Sequence, residues 1–149
     1  MRPDTPKVLF GIAGQLLVQI MPEVRTPIAG QTLTLSAALL SMVAQEFDRA
    51  ASRLVEENRA VRTLLADARG VVGEPSLRSR IDAETADLQE HDFRVSALQA
   101  VNDRLRTLLT DVHAEIEATP GDVAANLNER IWDELKESTR RRHLASGLA

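Results

Sequence analysis

The chain has 149 residues, of which 44% are apolar, 27% charged and 3% aromatic, with no cysteine and no tyrosine. That length suits one domain, and the lack of cysteine excludes disulfide frameworks, zinc knuckles, thiolate nucleophiles and iron–sulfur sites. A formal charge of −4 sets up no basic field that gathers nucleic acid by counterion release, while 20 alanines and 20 leucines favour helix over strand.

The first element predicted is a helix over 5–21, with Thr5 as N-cap, Pro6 at the first helical position, and Leu9, Ile12, Leu16 and Ile20 at helical spacing. Arg2 and Lys7 ahead of an apolar run over 8–21 superficially suggest a secretory signal. Asp4 in the basic part, Gln15 and Gln19 in the apolar part, and Pro22-Glu23 in place of small cleavage-site residues argue against it. Pro22 and Pro27 end the helix and lead into a short connection through Gly30.

From 31 to 69 there is no glycine or proline. Leu33, Leu40, Phe47, Leu54, Val61 and Ala68 recur in sevens, with Val43, Ala50 and Leu64 three residues behind. The pattern predicts one long helix along a continuous seam. Its first half carries no charge over the 20 residues 26–45, a length that suffices to cross a membrane. Gln31, Thr32, Thr34, Ser36, Ser41 and Gln45 make that stretch polar for a span, so it reads as the central helix of a bundle or half of a dimer interface. The small Ala37, Ala38, Ser41 and Ala44 allow neighbours to come close.

Gly70, Gly73 and Pro75 break the chain, after which 76–119 again lacks glycine and proline. Ile81, Leu88, Val95, Leu109 and Ile116 form one heptad position, and Leu98, Leu105 and Val112 its partner. Asn102 interrupts the first series, either as a buried register residue or as a solvated spot. Ten acids face five arginines between 74 and 117, as on a solvated acidic face. A last helix, 122–146, follows Thr119-Pro120-Gly121-Asp122, capped by Thr119 or Asp122, with Val123, Leu127, Ile131 and Leu135 as its stripe beside Trp132 and Gly147 as its stop. Arg140, Arg141 and Arg142, next to His143, complement the helix dipole, with contact to an anionic partner as the alternative reading.

Chemistry is sparse. No Glu-x-x-His pair supports a di-iron bundle, and no phosphate loop, dinucleotide fingerprint or nucleophile elbow occurs. Glu84, Asp87 and His91 share a helical face as metal ligands do, but nothing visibly completes the set, so a solvated face is expected. His113 and Glu117 read as a surface pair. No cofactor, metal, nucleic acid or membrane-spanning segment is expected.

The opening Arg2-Pro3-Asp4-Thr5-Pro6, the stretch Ile20-Met21-Pro22-Glu23 and the run from Leu39 to Glu46 resemble a bacterial family of small all-helical proteins of unknown function. Its members are commonly encoded beside acyl-CoA dehydrogenases and aminoglycoside-phosphotransferase-like proteins. The resemblance covers mainly 1–60, with an echo from Val123 to Leu135, and departs at the tail, where Arg140-Arg141-Arg142-His143 replaces an Asn-Pro-containing end. It implies an accessory role with an acyl-CoA-metabolising enzyme as partner, and carries over no functional residue.

The sequence thus predicts an all-α protein, an antiparallel up-down bundle of about four helices in a single domain. As function it predicts a non-enzymatic, cytoplasmic interaction protein that forms a homodimer, with Leu33, Ala37, Leu40, Ser41 and Ala44 at the interface. The alternatives are a bundle holding an apolar or acyl ligand and a phasin-like coat protein of lipid granules.

Overall fold

The structure, a computed structural model, describes residues 4–144. Arg2 and Pro3 of the opening motif, residues 145 and 146 of the expected last helix, and Gly147 lie outside the described residues. Those described are all-helical, in five α-helices without a strand: α1 (Thr5–Gln15), α2 (Pro27–Ala68), α3 (Pro75–Thr85), α4 (Val95–Ala118) and α5 (Asp122–Arg141). They divide into two compact units, one of residues 4–50 with 143–144, the other of 51–142. The boundary falls within α2, where neither glycine nor proline marks it.

In the first unit, Asp4 is the N-cap of α1, one residue before the expected Thr5; its carboxylate accepts from the Lys7 amide at 3.2 Å. Helical turns continue past α1 through a π-turn at Leu16–Ile20 and a 3₁₀ turn at Met21–Glu23. Pro22 has no amide to donate, so the α register cannot pass through it, and the Met21 amide bonds Leu16 five residues back. The expected connection through Gly30 is instead the first turn of α2. Pro27 starts the helix where a missing N–H is harmless, and the Gly30 amide bonds the Thr26 carbonyl at 3.1 Å.

The second unit holds the large-residue core. Val61, Leu64, Leu65 and Ala68 of α2, Leu77 and Ile81 of α3, Leu105, Leu108, Leu109, Val112 and Ile116 of α4, and Ala124, Leu127 and Ile131 of α5 are buried together. Glu74 caps α3, accepting from the amides of Ser76 and Leu77 at 3.2 and 2.9 Å.

The expected single helix over 76–119 is two helices separated by residues 86–94. The break uses aspartate side chains in place of glycine or proline. Asp87 accepts from the Gln89 amide at 2.8 Å and Asp92 from the Arg94 amide at 3.0 Å, turns that compete with the helical ladder. Leu88 and Val95, assigned to the heptad seam, are therefore exposed, while Leu98, Leu105, Leu109, Val112 and Ile116 are buried in it. The cap of α5 is Gly121, at φ +117°, in place of Thr119 or Asp122; Thr119 closes α4, its hydroxyl on the Glu115 carbonyl at 2.8 Å. The last helix ends at Arg141.

Truncation in this core is expected to be severe and truncation of the displaced seam residue mild. Leu105→Ala should lower unfolding free energy by about 2–5 kcal/mol in urea titrations, and Leu88→Ala by less than about 0.5 kcal/mol.

Candidate functional site

Two features stand apart from ordinary packing: a bare apolar row in the first unit and a buried ionic centre in the second. The row runs along α2 in steps of three or four residues through Leu35, Leu39, Val43, Phe47, Ala50, Leu54, Glu57, Val61, Leu65 and Ala68, one side of a helix. From Ala50 onward every member is buried. The first four are 60%, 51%, 54% and 60% exposed.

Elsewhere in the first unit, Val8, Phe10, Ile12, Val18, Ile20 and Ile28 are exposed as well. The buried apolar residues of its described part are all alanines: Ala13, Ala37, Ala38, Ala44 and Ala50. The fully buried apolar side chains of this unit are thus small, while its large ones are half-buried, as Leu9, Leu16 and Leu40, or exposed; the second unit buries large ones completely. Polar groups in the uncharged stretch are turned inward on their own helix. Thr32, Thr34 and Ser41 hydroxyls donate to carbonyls four residues back at 3.0, 3.1 and 3.0 Å, as does the Gln45 amide at 3.4 Å. The polarity counted against an apolar environment for this helix is therefore largely self-satisfied. By length and composition α2 is apolar enough to cross a membrane, a property shared by core helices.

At the ionic centre, the fully buried Glu57 carboxylate receives three guanidinium groups. Arg142 donates through Nε at 3.1 Å and Nη2 at 2.6 Å, Arg106 through Nη2 at 3.1 Å, and Arg53 through Nη1 at 3.3 Å. Burial alone opposes the charge of Glu57 and pushes its pKa up. The hydrogen bonds and charges of Arg142 and then Arg106 outweigh this, and hold it down to about 2 from an ordinary 4.5. Asn102 donates to Glu57 Oε2 at 3.4 Å and to Asn58 Oδ1 at 2.9 Å, and accepts from Arg106 Nε at 3.1 Å. Asn58 continues the chain to Glu90 Oε1 at 3.1 Å, which also accepts from Arg62 at 2.6 Å. A general acid or base needs a pKa near the working pH; a carboxylate at about 2 with three arginines on it serves as a structural anion.

The sequence-derived candidates fall on these features as follows. Ala37 and Ala44 are buried and Ser41 is half-buried on the side of α2 opposite the bare row, with half-buried Leu33 and Leu40 on its flank. The exposed surface of α2 is carried by Ile28, Leu35, Leu39, Val43 and Phe47. Asn102 is buried and joins α4 to α2 within one chain. Arg140 pairs with Glu137, Arg141 with Glu134 at 2.7 Å, and Arg142 with Glu57, so carboxylates of the chain itself face all three. Asp87 bonds His91 at 2.7 Å and Glu84 bonds Arg104 at 3.3 Å, and among the described residues no three potential metal ligands cluster. His113 bonds Asn128 at 2.7 Å and meets Trp132 edge-on. Sequence reasoning missed Glu57, Asn58 and Glu90; the available signal was an acid and an amide at core positions of the α2 seam.

The chain matches no protein-family model, no curated protein and no solved structure.

Because Glu57 titrates lower in the fold than in the unfolded chain, its contribution is complete above pH 4.5 and is lost as pH falls toward 2. Urea midpoints of the wild type should therefore drop across that window. Glu57→Gln should flatten that part of the profile and cost about 1–3 kcal/mol at pH 7, since three partly exposed arginines lose their counter-charge.

Proposed function

We propose that this is a non-enzymatic helical interaction protein of the cytoplasm, whose working surface is the apolar face of its N-terminal helices. The observation that carries the reading is the bare row Leu35, Leu39, Val43 and Phe47, a direct continuation of a row that the second unit buries completely. Contiguous exposed apolar surface of this kind marks docking sites in soluble proteins. The ionic groups of the second unit are engaged with one another, which fits a scaffold better than a reaction centre. An accessory role beside an acyl-CoA-metabolising enzyme rests on the resemblance of residues 1–60 alone. The finer arrangement, an up-down bundle, belongs to the same reading.

A second reading, an apolar or acyl ligand between helices, is favoured by one groove of about 500 Å³ lined by Pro27, Gly30, Gln31, Thr34, Leu35 and Ala38. That groove is open to solvent, whereas a ligand site encloses most of its ligand. A phasin-like coat role calls for cations on the polar face of a lipid-bound helix. The sequence has none between Lys7 and Arg25, or between Arg25 and Arg49.

The triple variant Leu35→Gln, Leu39→Gln, Val43→Gln should abolish every association of the chain seen by sedimentation and vesicle flotation, while leaving helical content and the main unfolding transition unchanged. An association profile identical to the wild type overturns the docking-face reading.

A further inference from the structure

Resting on that reading, we infer that the occupant of the bare row is a second copy of this chain, so that the rows of two first units face each other. Three observations converge. First, a core needs two packed layers, and the first unit supplies one: among its described residues the fully buried apolar ones are all alanines, and ten large apolar side chains, from Val8 to Phe47, are at least 42% exposed. At on the order of 100 Å² each, the five on the α2 face, Ile28, Leu35, Leu39, Val43 and Phe47, supply more than half of the ~800 Å² per partner of a standard interface.

Second, the row has the spacing of a helix-packing ridge. Leu35, Leu39, Val43 and Phe47 recur every four residues, the ridge that interdigitates with an equivalent ridge on another helix. A lipid surface requires no such register, and within the second unit the same row is buried from Leu54 to Ala68. Third, most of the face is uncharged. Residues 26–45 carry no charge, so opposing Ile28, Leu35, Leu39 and Val43 to their copies across a two-fold axis brings no like charges together, the restriction that isologous contacts impose, and Glu46 and Asp48 enter only beside Phe47 at its end. The hydroxyls of Thr32, Thr34 and Ser41 are bonded to their own helix and need no partner across the interface. Two first units joined this way make a helical arrangement with the large side chains of the row between the copies.

The test is sedimentation equilibrium of the full chain from about 1 to 100 µM, with Leu39→Arg, Val43→Arg and the control Leu88→Arg. The wild type should sediment at twice the 16.4 kDa chain mass. Each arginine on the row should weaken the dimer about 100-fold, and Leu88→Arg should leave it intact. If an arginine variant loses helical content, Leu39→Gln replaces it. A monomer throughout, or a dimer indifferent to residues 39 and 43, overturns the proposal. Flotation with vesicles of phosphatidylglycerol and phosphatidylcholine separates the failures. A wild-type monomer that floats, and stops floating as Leu39→Arg, overturns the second copy but leaves the docking face standing. A monomer that neither floats nor differs from the triple glutamine variant removes both.

Discussion

The second unit depends on a single carboxylate taken out of water. Glu57 sits at zero exposure on α2, and an isolated ion there is prohibitively unfavourable. It persists because α4 sends Arg106, the end of α5 sends Arg142, and α2 itself sends Arg53, one turn earlier. Such a centre adds little net stability over a well-packed apolar one. What it adds is placement: sliding α4 or α5 by one turn along α2 strands the carboxylate. Asn102 then has a meaning that its place in the seam leaves open, since both ends of its amide are bonded within this network. Arginine suits the task where lysine does not, because a planar fork engages both carboxylate oxygens at once, as Arg142 does.

Legibility followed the chemistry of the breaks. Helix ends written in proline and glycine, near Met21, Gly70 and Thr119, were readable because those residues act through their own backbone. The break over 86–94 was not, since it is made by Asp87 and Asp92 accepting from amides two residues on, a role that the same side chains leave aside on a solvated helix. The heptad seam was readable where one helix persists, from Leu98 to Ile116, and misleading across the hidden break, at Leu88 and Val95. The ionic centre was half-legible. Asn102 interrupts a seam visibly, whereas Glu57 and Arg142, 85 residues apart, meet only once the chain has folded.

The uncharged stretch was legible as an anomaly, but which of its sides stays bare was not. Alanines and Ser41 suggested close approach of neighbours, and in the structure Ala37 and Ala44 are buried within the described chain. Small residues permit tight packing and therefore mark the side already used. Leu35, Leu39, Val43 and Phe47 carry the larger apolar area, and the physical incentive to bury more belongs to them. The same inversion explains the polar side chains of this helix. Hydroxyls bonded to their own carbonyls present mainly methyl and methylene groups outward, so counting Thr32, Thr34 and Ser41 as polar overstates the polarity of the helix.

Length arithmetic ties the two halves together. At 1.5 Å per residue the 42 residues of α2 extend roughly 63 Å, whereas the 24 residues of α4 reach roughly 36 Å and the 20 of α5 roughly 30 Å. Neither companion can cover α2 from end to end, and the register imposed at Glu57 commits both to its C-terminal half. In the first unit α1 has only 11 residues and is itself exposed at Val8, Phe10 and Ile12. A helix that outlasts its intramolecular partners while continuing the same apolar row has surface to bury that its own fold does not supply. Here the row is uncharged from Leu35 to Val43, and its last bare member, Phe47, stands between Glu46 and Asp48.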